Sequence, residues 1–413
     1  MVVRALRPLR HREFRLLWAG LAVSLVGDGV WLVAVAWQVI ELGGGPAQLS
    51  LVTGAFAVGL VALMLPGGVL ADRRSRRRTM LEANAVRAVA VAAVGLLSVA
   101  GGLELWHLAV VALVVGASEG CFLPAFAALV PDLVPDDEVL ATNGLEGVVR
   151  PVAQRAAGPA LGGLLVAAAG PGWAFLLGGT AYVVSAACLL AMAPVAAARP
   201  AGATGLRAAV GDLAEGARYV RSERWLWGTL VFTCVAVLAT VGPLEVLVPF
   251  VIRDQAGAGA AGFGLFLASF GVASAVGAVV VSSRPLPRRY VTATLLLWGG
   301  GALPLALVGE LRSLGAICAV GAVVGGTNTA GQVVWGTLLQ RRVPPGLRGR
   351  VAGLDWFVTL GLLPVSMAAA GPLSELVGRD AVFVVAGVAP AVLAVGVLGA
   401  LRLRRDELAH PLG

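Results

Sequence analysis

The chain has 413 residues, of which 58% are hydrophobic and only 13% are charged, and its mean hydropathy is +0.89. Soluble domains carry about 25% charged residues, so this composition excludes an ordinary soluble protein. The net charge of +8 comes from 31 basic residues, all of them arginine. We assign these arginines to loops beside a membrane and not to nucleic-acid binding.

Long apolar segments predict an all-α integral membrane protein. A helix needs roughly 20 apolar residues to cross a bilayer, and 12 runs of this kind, here called spans 1 to 12, are bounded by Arg, Pro and Gly. The first six are predicted at 14–41, 48–71, 79–100, 106–130, 142–168 and 172–195. The last six are predicted at 225–252, 262–282, 289–310, 312–340, 351–377 and 380–402.

Arginines divide the loops into two classes. They cluster before span 1, after spans 2, 8, 10 and 12, and between spans 6 and 7, whereas the alternate loops contain only Arg253, Arg312 and Arg379. Three further arginines lie inside spans, namely Arg87, Arg150 and Arg155. Because arginine-rich loops stay on the cytoplasmic side, we expect both termini in the cytoplasm and the protein in the inner (plasma) membrane.

The longest polar stretch, 196–224, separates two sets of six spans. Apolar residues at helical spacing within it predict an amphipathic helix on the cytoplasmic membrane surface; these are Leu206, Val210, Leu213, Ala217 and Val220. We therefore predict an N-terminal six-helix bundle (1–195), a cytoplasmic linker (196–224) and a C-terminal six-helix bundle (225–413).

A weak internal repeat supports this division. Leu133-Val-Pro135 is followed by Ala156-Ala-Gly158-Pro159, and Arg342-Val-Pro344 is followed by Ala369-Ala-Gly371-Pro372. The two copies are about 210 residues apart, and each lies at the entry to or within the fifth helix of its half.

Span 1 carries a polar stripe. An ionisable side chain at mid-bilayer costs about 2.5–3.5 kcal/mol, so the few that occur are the best functional candidates. Ser24, Asp28, Trp31, Val35 and Gln38 share one helical face. Asp28 is the first candidate for a cavity carboxylate that binds protons or a cationic substrate. The alternative is an aspartate that only hydrogen-bonds to a neighbouring helix.

Span 4 carries the second candidate carboxylate. Glu119 lies at mid-depth with Phe122 and Phe126 near its face, and Gly116 and Gly120 beside it permit close packing. A cavity carboxylate and a packed, permanently protonated glutamate are both open at this point.

Span 5 carries a stripe of Asn143, Glu146, Arg150 and Gln154. Glu146 and Arg150 are an i, i+4 pair with the favourable orientation, which would offset much of its own burial cost. We interpret the pair as a structural salt bridge or gate, with direct proton coupling as the alternative.

The last six spans carry fewer charges. Asn328, Gln332 and Trp335 share one face of span 10, Thr233 lies in span 7 and Asp355 in span 11. Polar groups beside aromatic rings suit an amphiphilic, partly aromatic ligand. We class Asp355 with the candidate gate residues of span 5.

The loop after span 2 carries the most specific motif of the chain. Its pattern Gly-x-Leu-Ala-Asp-Arg-x-x-Arg-Arg, at Gly68, Asp72, Arg73, Arg76 and Arg77, resembles the loop between helices 2 and 3 of the major facilitator superfamily. The opening Phe14-Arg-Leu-Leu-Trp-Ala-Gly resembles the subgroup of bacterial efflux proteins that includes macrolide exporters and the enterobactin exporter.

The resemblance covers nearly the whole chain and implies a fold. It implies two six-helix bundles related by a pseudo-two-fold axis, with a central cavity lined by spans 1, 4, 7 and 10. It also implies that Asp72 latches the two halves on the cytoplasmic side. Many proton antiporters of the family carry an arginine in helix 4, where this chain has Gly116.

The resemblance extends to a glycine motif of span 5, which is similar to the tail of a motif found in antiporters. Its four members are Gly158, Pro159, Gly162 and Gly163.

These observations predict a secondary active transporter that exports a small amphiphilic compound, such as a drug, macrolide or siderophore-like metabolite, in exchange for protons. No phosphate-binding loop, catalytic cluster or metal-ligand spacing occurs, so we expect no ATP hydrolysis, enzyme activity, cofactor or metal. We expect a monomer whose partners are the substrate, protons and lipid. The alternatives are an uptake permease or lipid flippase of the same fold and, from another class, a non-transporting sensor or scaffold.

Overall fold

The computed structural model describes residues 6–135, 138–193 and 206–410, and for 71–73, 139–140, 143, 206–210 and 212–213 it describes the backbone alone. Twelve helices of the described chain are long and apolar enough to cross a membrane. Their bounds differ from the predicted spans by only a few residues, so the prediction of an all-α membrane protein with 12 spans is confirmed.

The first six spans alternate with short loops. Spans 1 to 4 are single helices, span 5 has three consecutive helical segments, and span 6 is again a single helix. In order, the segments are Arg12–Glu41, Pro46–Arg73, Arg76–Val99, Leu105–Leu133, Val139–Arg150 with Pro151–Ala157 and Gly158–Ala169, and Pro171–Ala191.

The last six spans are more often interrupted. Spans 8, 10 and 12 are single helices, Ala260–Ser282, Leu314–Arg342 and Arg379–Ala400. Span 7 consists of Arg224–Gly242, Pro243–Leu247 and Val248–Asp254, span 9 of Tyr290–Ala302 and Leu303–Glu310, and span 11 of Arg348–Gly361 and Leu363–Val377. A linker helix, Leu206–Ser222, precedes span 7, and a C-terminal helix, Leu403–Ala409, follows span 12.

Prolines explain two of the interruptions. Pro151 and Pro243 each begin a π-helical turn, at Pro151–Ala157 and Pro243–Leu247. A proline has no N–H to donate and its ring displaces the preceding carbonyl, so the hydrogen-bond register changes at that point. Spans 5 and 7 therefore continue across the membrane with a local change of pitch.

The chain divides into two compact units. The first unit contains Met1–Leu206 and Ala258–Ala268, and the second contains Arg207–Gly257 and Ser269–Gly413. The change from one to the other falls within the predicted linker, 196–224. The beginning of span 8 groups with the first unit.

The first unit has an apolar core towards the end of the bundle that carries the arginine-rich loop. Phe14, Leu17 and Leu21 of span 1 pack there with Met80 of span 3 and Leu189 of span 6. Their burial removes apolar surface from water and forms the main apolar contact among spans 1, 3 and 6 at that end.

The linker helix packs on the second unit. Val220 is buried in the same apolar cluster as Trp225, and Glu215 lies 3.1 Å from Arg350 of span 11. The side chains of Leu206, Val210 and Leu213, which we assigned to the apolar face of this helix, lie outside the described residues.

The C-terminal helix closes the same end of the second unit. Glu407 is buried and accepts hydrogen bonds from the backbone N–H and the hydroxyl of Thr292, at 3.1 and 2.6 Å. Arg342, the last residue of span 10, pairs with Asp406 at 2.6 Å. The helix thereby holds the ends of spans 9 and 10 together.

Candidate functional site

Two acidic side chains of the first unit converge on one arginine. Arg87 of span 3 donates from Nη1 to Glu119 Oε2 of span 4 at 2.6 Å, and the same nitrogen lies 3.7 Å from Asp28 Oδ1 of span 1. Tyr182 of span 6 donates its hydroxyl hydrogen to Asp28 Oδ1 at 2.6 Å. Four helices thus each contribute one member of what we call the charge cluster: Asp28, Arg87, Glu119 and Tyr182.

The charge cluster is buried inside the first unit. The exposed fractions of the Arg87, Glu119 and Asp28 side chains are 1%, 14% and 16%, and Tyr182 is fully buried. The guanidinium carbon of Arg87 lies 4.7 Å from the centre of the Phe122 ring and 5.1 Å from that of Tyr182. Aromatic faces stabilise a desolvated cation by about 2 kcal/mol, so both rings help to keep Arg87 charged.

Glycines on both sides of Asp28 let two helices approach it. A Cβ at Gly27 would lie 3.0 Å from Ala181 Cβ of span 6, and one at Gly29 would lie 2.6 Å from the carbonyl oxygen of Gln154 in span 5. A side chain at Gly29 would therefore collide with backbone. Span 1 packs through its own backbone against spans 5 and 6, and this contact brings Asp28 within hydrogen-bond distance of span 6.

The charge balance of the cluster is uneven. Two carboxylates and one guanidinium sum to one negative charge when all are ionised, and a tyrosine is neutral near pH 7. Keeping an uncompensated charge out of water costs several kcal/mol. The arrangement therefore favours uptake of one positive charge, which can be a proton or a cationic group of a bound molecule.

Two other residues of the predicted span 1 stripe lie in the packing of the first unit. Trp31 is buried with its ring centre 5.4 Å from that of Phe175 in span 6. Gln38 is also buried, and its Oε1 accepts a hydrogen bond from Ser98 of span 3 at 2.5 Å. The stripe thus faces spans 3 and 6, and it contributes only Asp28 to the charge cluster.

The glycine motif of span 5 lies at points of close helix packing; its members are Gly158, Pro159, Gly162 and Gly163. A Cβ at Gly158 would lie 2.8 Å from Gly29 Cα, and one at Gly163 would lie 2.8 Å from the carbonyl oxygen of Ala260 in span 8. The motif therefore allows span 5 to contact the backbones of spans 1 and 8.

The predicted pair of span 5 lies just before the π-helical turn. Arg150 Nη2 is 3.0 Å from Glu146 Oε1, and both side chains are partly exposed. The side chain of Asn143, assigned to the same stripe, lies outside the described residues. A partly exposed pair of this kind contributes about 0–1 kcal/mol.

Arginines of the loop after span 2 bind carbonyl groups at the ends of neighbouring helices. Arg77 donates to the carbonyl oxygens of Leu189 and Leu190 at 2.6 and 2.8 Å. Arg76 donates to the carbonyl oxygen of Ala128 at 2.9 Å and also pairs with Asp132. Cations are favourable at helix C-termini, so this loop stabilises the ends of spans 4 and 6.

Other members of the same motif are only partly described. Gly68 faces Pro124 of span 4, 3.9 Å from a Cβ built on the glycine. The side chains of Asp72 and Arg73 lie outside the described residues, so the latch implied for Asp72 stays a prediction.

The second unit brings polar and aromatic groups together. Gln332 donates to Asn328 Oδ1 at 3.1 Å on the exposed face of span 10. The Trp335 ring lies edge-on to those of Trp225 and Trp298, with centres 5.8 and 6.2 Å apart. Thr233 of span 7 is partly buried and donates to the carbonyl oxygen of its own helix one turn earlier.

Asp355 has an indole partner. Its Oδ2 accepts a hydrogen bond from Trp335 Nε1 at 3.2 Å, and within the described part of the chain it forms no ion pair. The residue four positions later is Thr359, whereas Glu146 has Arg150 at that position. Asp355, which its sequence context groups with the salt-bridge or gate residues, therefore has an indole partner in place of an arginine on its own helix, and its role in a gate stays a prediction.

Comparison with known proteins identifies the family. The family model described as transmembrane secretion effector matches residues 3–409. The chain belongs to this family of the major facilitator superfamily. It is a multi-pass membrane transporter of small molecules and not an enzyme.

Relatives and solved structures extend over most of the transporter. It is 30% identical over 382 residues to the multidrug efflux pump Tap of Mycobacterium tuberculosis, covering 91% of this chain and 90% of Tap. It is 25% identical to the enterobactin exporter EntS of Shigella boydii, covering 83% and 81%. The crystal structure of the nucleoside transporter NupG matches with a TM-score of 0.70 at 12% identity, covering 95% and 99%, which shows a common fold.

Sequence reasoning missed two members of the transporter's charge cluster. Arg87 was noted only as an arginine inside a span, and Tyr182 was not considered. The available signal was the position of Arg87 well inside span 3, where an unpaired charge is expensive. Gly116 of span 4 packs against span 2 so closely that a Cβ there would collide with the carbonyl oxygen of Phe56.

Proposed function

We propose that the transporter exports a small amphiphilic compound in exchange for protons, with the charge cluster as the coupling site. The observation that carries this proposal is the buried contact of Asp28 and Glu119 with a single arginine. Two carboxylates that compete for one guanidinium differ in their need for a proton, so one of them can titrate while the other stays paired.

The geometry supports different roles for the two carboxylates. Glu119 makes the short contact with Arg87, at 2.6 Å, whereas Asp28 lies 3.7 Å away and is held by Tyr182. Asp28 is therefore the group that takes and releases the proton, and Glu119 keeps the charge of Arg87 compensated. A cationic group of the substrate would compete with the proton for the same negative charge.

The names of two relatives support export. Tap is named a multidrug efflux pump and EntS an enterobactin exporter. An exposed pair of amides on span 10 beside the rings of Trp298 and Trp335 supplies uncharged hydrogen-bonding and apolar contacts, which suit an amphiphilic molecule.

The arginine pattern supports a location and orientation. We propose a monomer in the plasma membrane with both termini in the cytoplasm, because the arginine-rich loops alternate with loops that carry few charges. Reporter fusions at the two termini test this orientation, and activity of a periplasmic reporter at either terminus would contradict it.

A susceptibility panel in an efflux-deficient host tests the export proposal. We expect the wild type to protect against at least one amphiphilic compound and Asp28→Asn at equal membrane expression to lose that protection. Glu82→Gln is the matched control, because it removes a partly exposed carboxylate of the same unit outside the charge cluster. Equal protection by Asp28→Asn would remove Asp28 from the coupling mechanism, and accumulation of the compound in wild-type cells would indicate uptake.

A further inference from the structure

A layer of uncharged polar side chains lies one helical turn from the charge cluster, on the side of the arginine-rich loop. Ser24 of span 1, Asn84 of span 3 and Ser185 of span 6 form this layer, and each is three or four residues from the cluster member on its own helix. All three are buried, with exposed fractions of 2%, 0% and 2%. Beyond them the apolar core of the first unit begins, so the layer is enclosed.

Part of the hydrogen-bonding capacity of this layer has no protein partner. Asn84 Nδ2 donates to Ser185 Oγ at 2.9 Å, and Ser24 Oγ donates to the carbonyl oxygen of Leu21 at 3.0 Å. Asn84 Oδ1 is buried and has no partner among the described residues. Leaving a buried acceptor without a partner costs about 1–3 kcal/mol.

Arg87 of the charge cluster has hydrogen-bond donors without acceptors, which complements the unpartnered acceptor of Asn84. Arg87 contacts both carboxylates through Nη1, while its buried Nε and Nη2 have no hydrogen-bond partner among the described residues. These two nitrogens form one edge of the guanidinium, the edge that commonly grips both oxygens of a carboxylate. Neither Glu119 nor Asp28 occupies it.

We propose that this edge of Arg87 and Asn84 Oδ1 bind one buried water molecule, and that Asn84 is a positioning residue for Arg87. The hydrogen bonds match the unpartnered atoms: the water accepts from Nε and Nη2 and donates to Asn84 Oδ1. Such a site is small, polar and enclosed, as buried water sites are.

The water determines how many carboxylates Arg87 holds. With the edge satisfied by water, Arg87 needs only Glu119, and Asp28 remains free to exchange a proton. Without the water, Arg87 turns this edge to the carboxylates and holds both, so Asp28 stays ionised to lower pH. This inference rests on the proposed proton exchange at Asp28.

Among the described residues, the charged and titratable groups that act on Asp28 are Glu119 of span 4, Arg87 of span 3, Tyr182 of span 6 and Arg150 of span 5. Asn84 and the water are uncharged, so they affect the ionisation of Asp28 only by orienting Arg87.

Infrared titration of the purified, lipid-reconstituted protein tests the inference without any substrate. The protonated carboxyl band that is lost in Asp28→Asn reports Asp28, and its midpoint is followed against pH. We expect Asn84→Leu, which has the same branched shape and number of side-chain heavy atoms but no acceptor, to move the midpoint about one pH unit lower. Asn84→Asp retains the size and gives Arg87 a competing carboxylate, so we expect the midpoint to move higher.

Thr294→Val is the matched control, because Thr294 is a buried hydroxyl of span 9 that donates to the carbonyl oxygen of Tyr290; its midpoint should equal that of the wild type. An unchanged midpoint in Asn84→Leu overturns the inference, whatever the result for Asn84→Asp. If no band is lost in Asp28→Asn, the proposed proton exchange fails first, and this inference fails with it. An experimental map that resolves other buried waters but shows none within hydrogen-bond distance of Arg87 Nε and Asn84 Oδ1 also overturns it.

Discussion

The two six-span halves place different chemistry at equivalent positions. Pro135 and Pro344 mark the same point of the internal repeat and are 209 residues apart, and the same interval relates Glu119 to Asn328. It also relates Glu146 to Asp355 and Phe126 to Trp335.

The first half therefore carries paired charges where the second carries an amide or an unpaired carboxylate beside a ring. Under the proposed function, the first half would exchange protons and the second would bind the substrate through uncharged groups.

Substitution of Arg87 should have the largest effect on the charges that distinguish the first half from the second. Arg87→Leu leaves Asp28 and Glu119 without a cation, and breaking a buried pair from one side costs about 3–5 kcal/mol. We expect loss of transport and a lower melting temperature in detergent. Arg253→Leu, at a pair near an exposed helix end, should cost less than about 1 kcal/mol. Equal melting temperatures for the two variants would show that the charge cluster does not hold the first unit together.

Substitutions at equivalent positions should separate coupling from recognition. Glu119→Gln leaves Asp28 as the sole anionic partner of Arg87, so we expect the pH dependence of transport to change. Asn328→Ala should weaken substrate binding about tenfold, the effect of one lost hydrogen bond. Transport measured as a function of pH and substrate concentration distinguishes them. A moved pH profile in Asn328→Ala would contradict the division of tasks.

The equivalent positions Glu146 and Asp355 allow the ion pair of the first half to be compared with the indole contact of the second, with smaller expected effects. Glu146→Gln should lower stability by about 0.2–1 kcal/mol, because it breaks a partly exposed ion pair. Asp355→Asn retains an acceptor for Trp335 and should change stability by less than that. Denaturation of both variants, with and without Arg150→Gln, measures the coupling energy of each site. A large coupling between Asp355 and Arg150 would be inconsistent with an indole as the main partner of Asp355.

The smallest expected effect compares two buried glutamates at helix ends. Glu138 in the first half has Arg10 and His11 at 2.6 and 3.1 Å, whereas Glu407 accepts hydrogen bonds from Thr292. Burial raises the pKa of Glu407 above its ordinary value. Its contribution to folded stability is therefore full below the unfolded pKa, about 4.3, and is lost as the pH rises through the raised folded pKa.

Glu407→Gln should consequently gain stability relative to the wild type as the pH is raised from about 4 to 7. Glu138→Gln should lower the melting temperature near pH 7, because it removes an anion that Arg10 and His11 contact. Melting temperatures of Glu407→Gln and wild type at several pH values provide the test, and a difference between them that does not change with pH would refute the assignment for Glu407.

The sequence was sufficient for the spans, because their apolar length and their arginine-rich ends are local properties. It also identified Asp28 and Glu119, since a carboxylate at mid-span is conspicuous by its cost. The contacts of Arg87 and Tyr182 with these two carboxylates could not be predicted, because contacts among four helices depend on which helix faces pack against each other. The stripe of Trp31 and Gln38 illustrates the limit: helical spacing defines a face but not its neighbour.

The glycines on both sides of Asp28 have a mechanical consequence. Gly27 and Gly29 seat span 1 directly on the backbones of spans 6 and 5, and packing this close resists sliding as well as separation. Asp28 is therefore held on a rigid part of the bundle, and the proton exchange proposed for it would change its charge without moving its backbone. Any conformational change that follows should therefore occur in parts of the molecule that are less tightly packed than the contacts of Gly27 and Gly29. The flexible parts and the charge cluster would then lie at different places in the transporter.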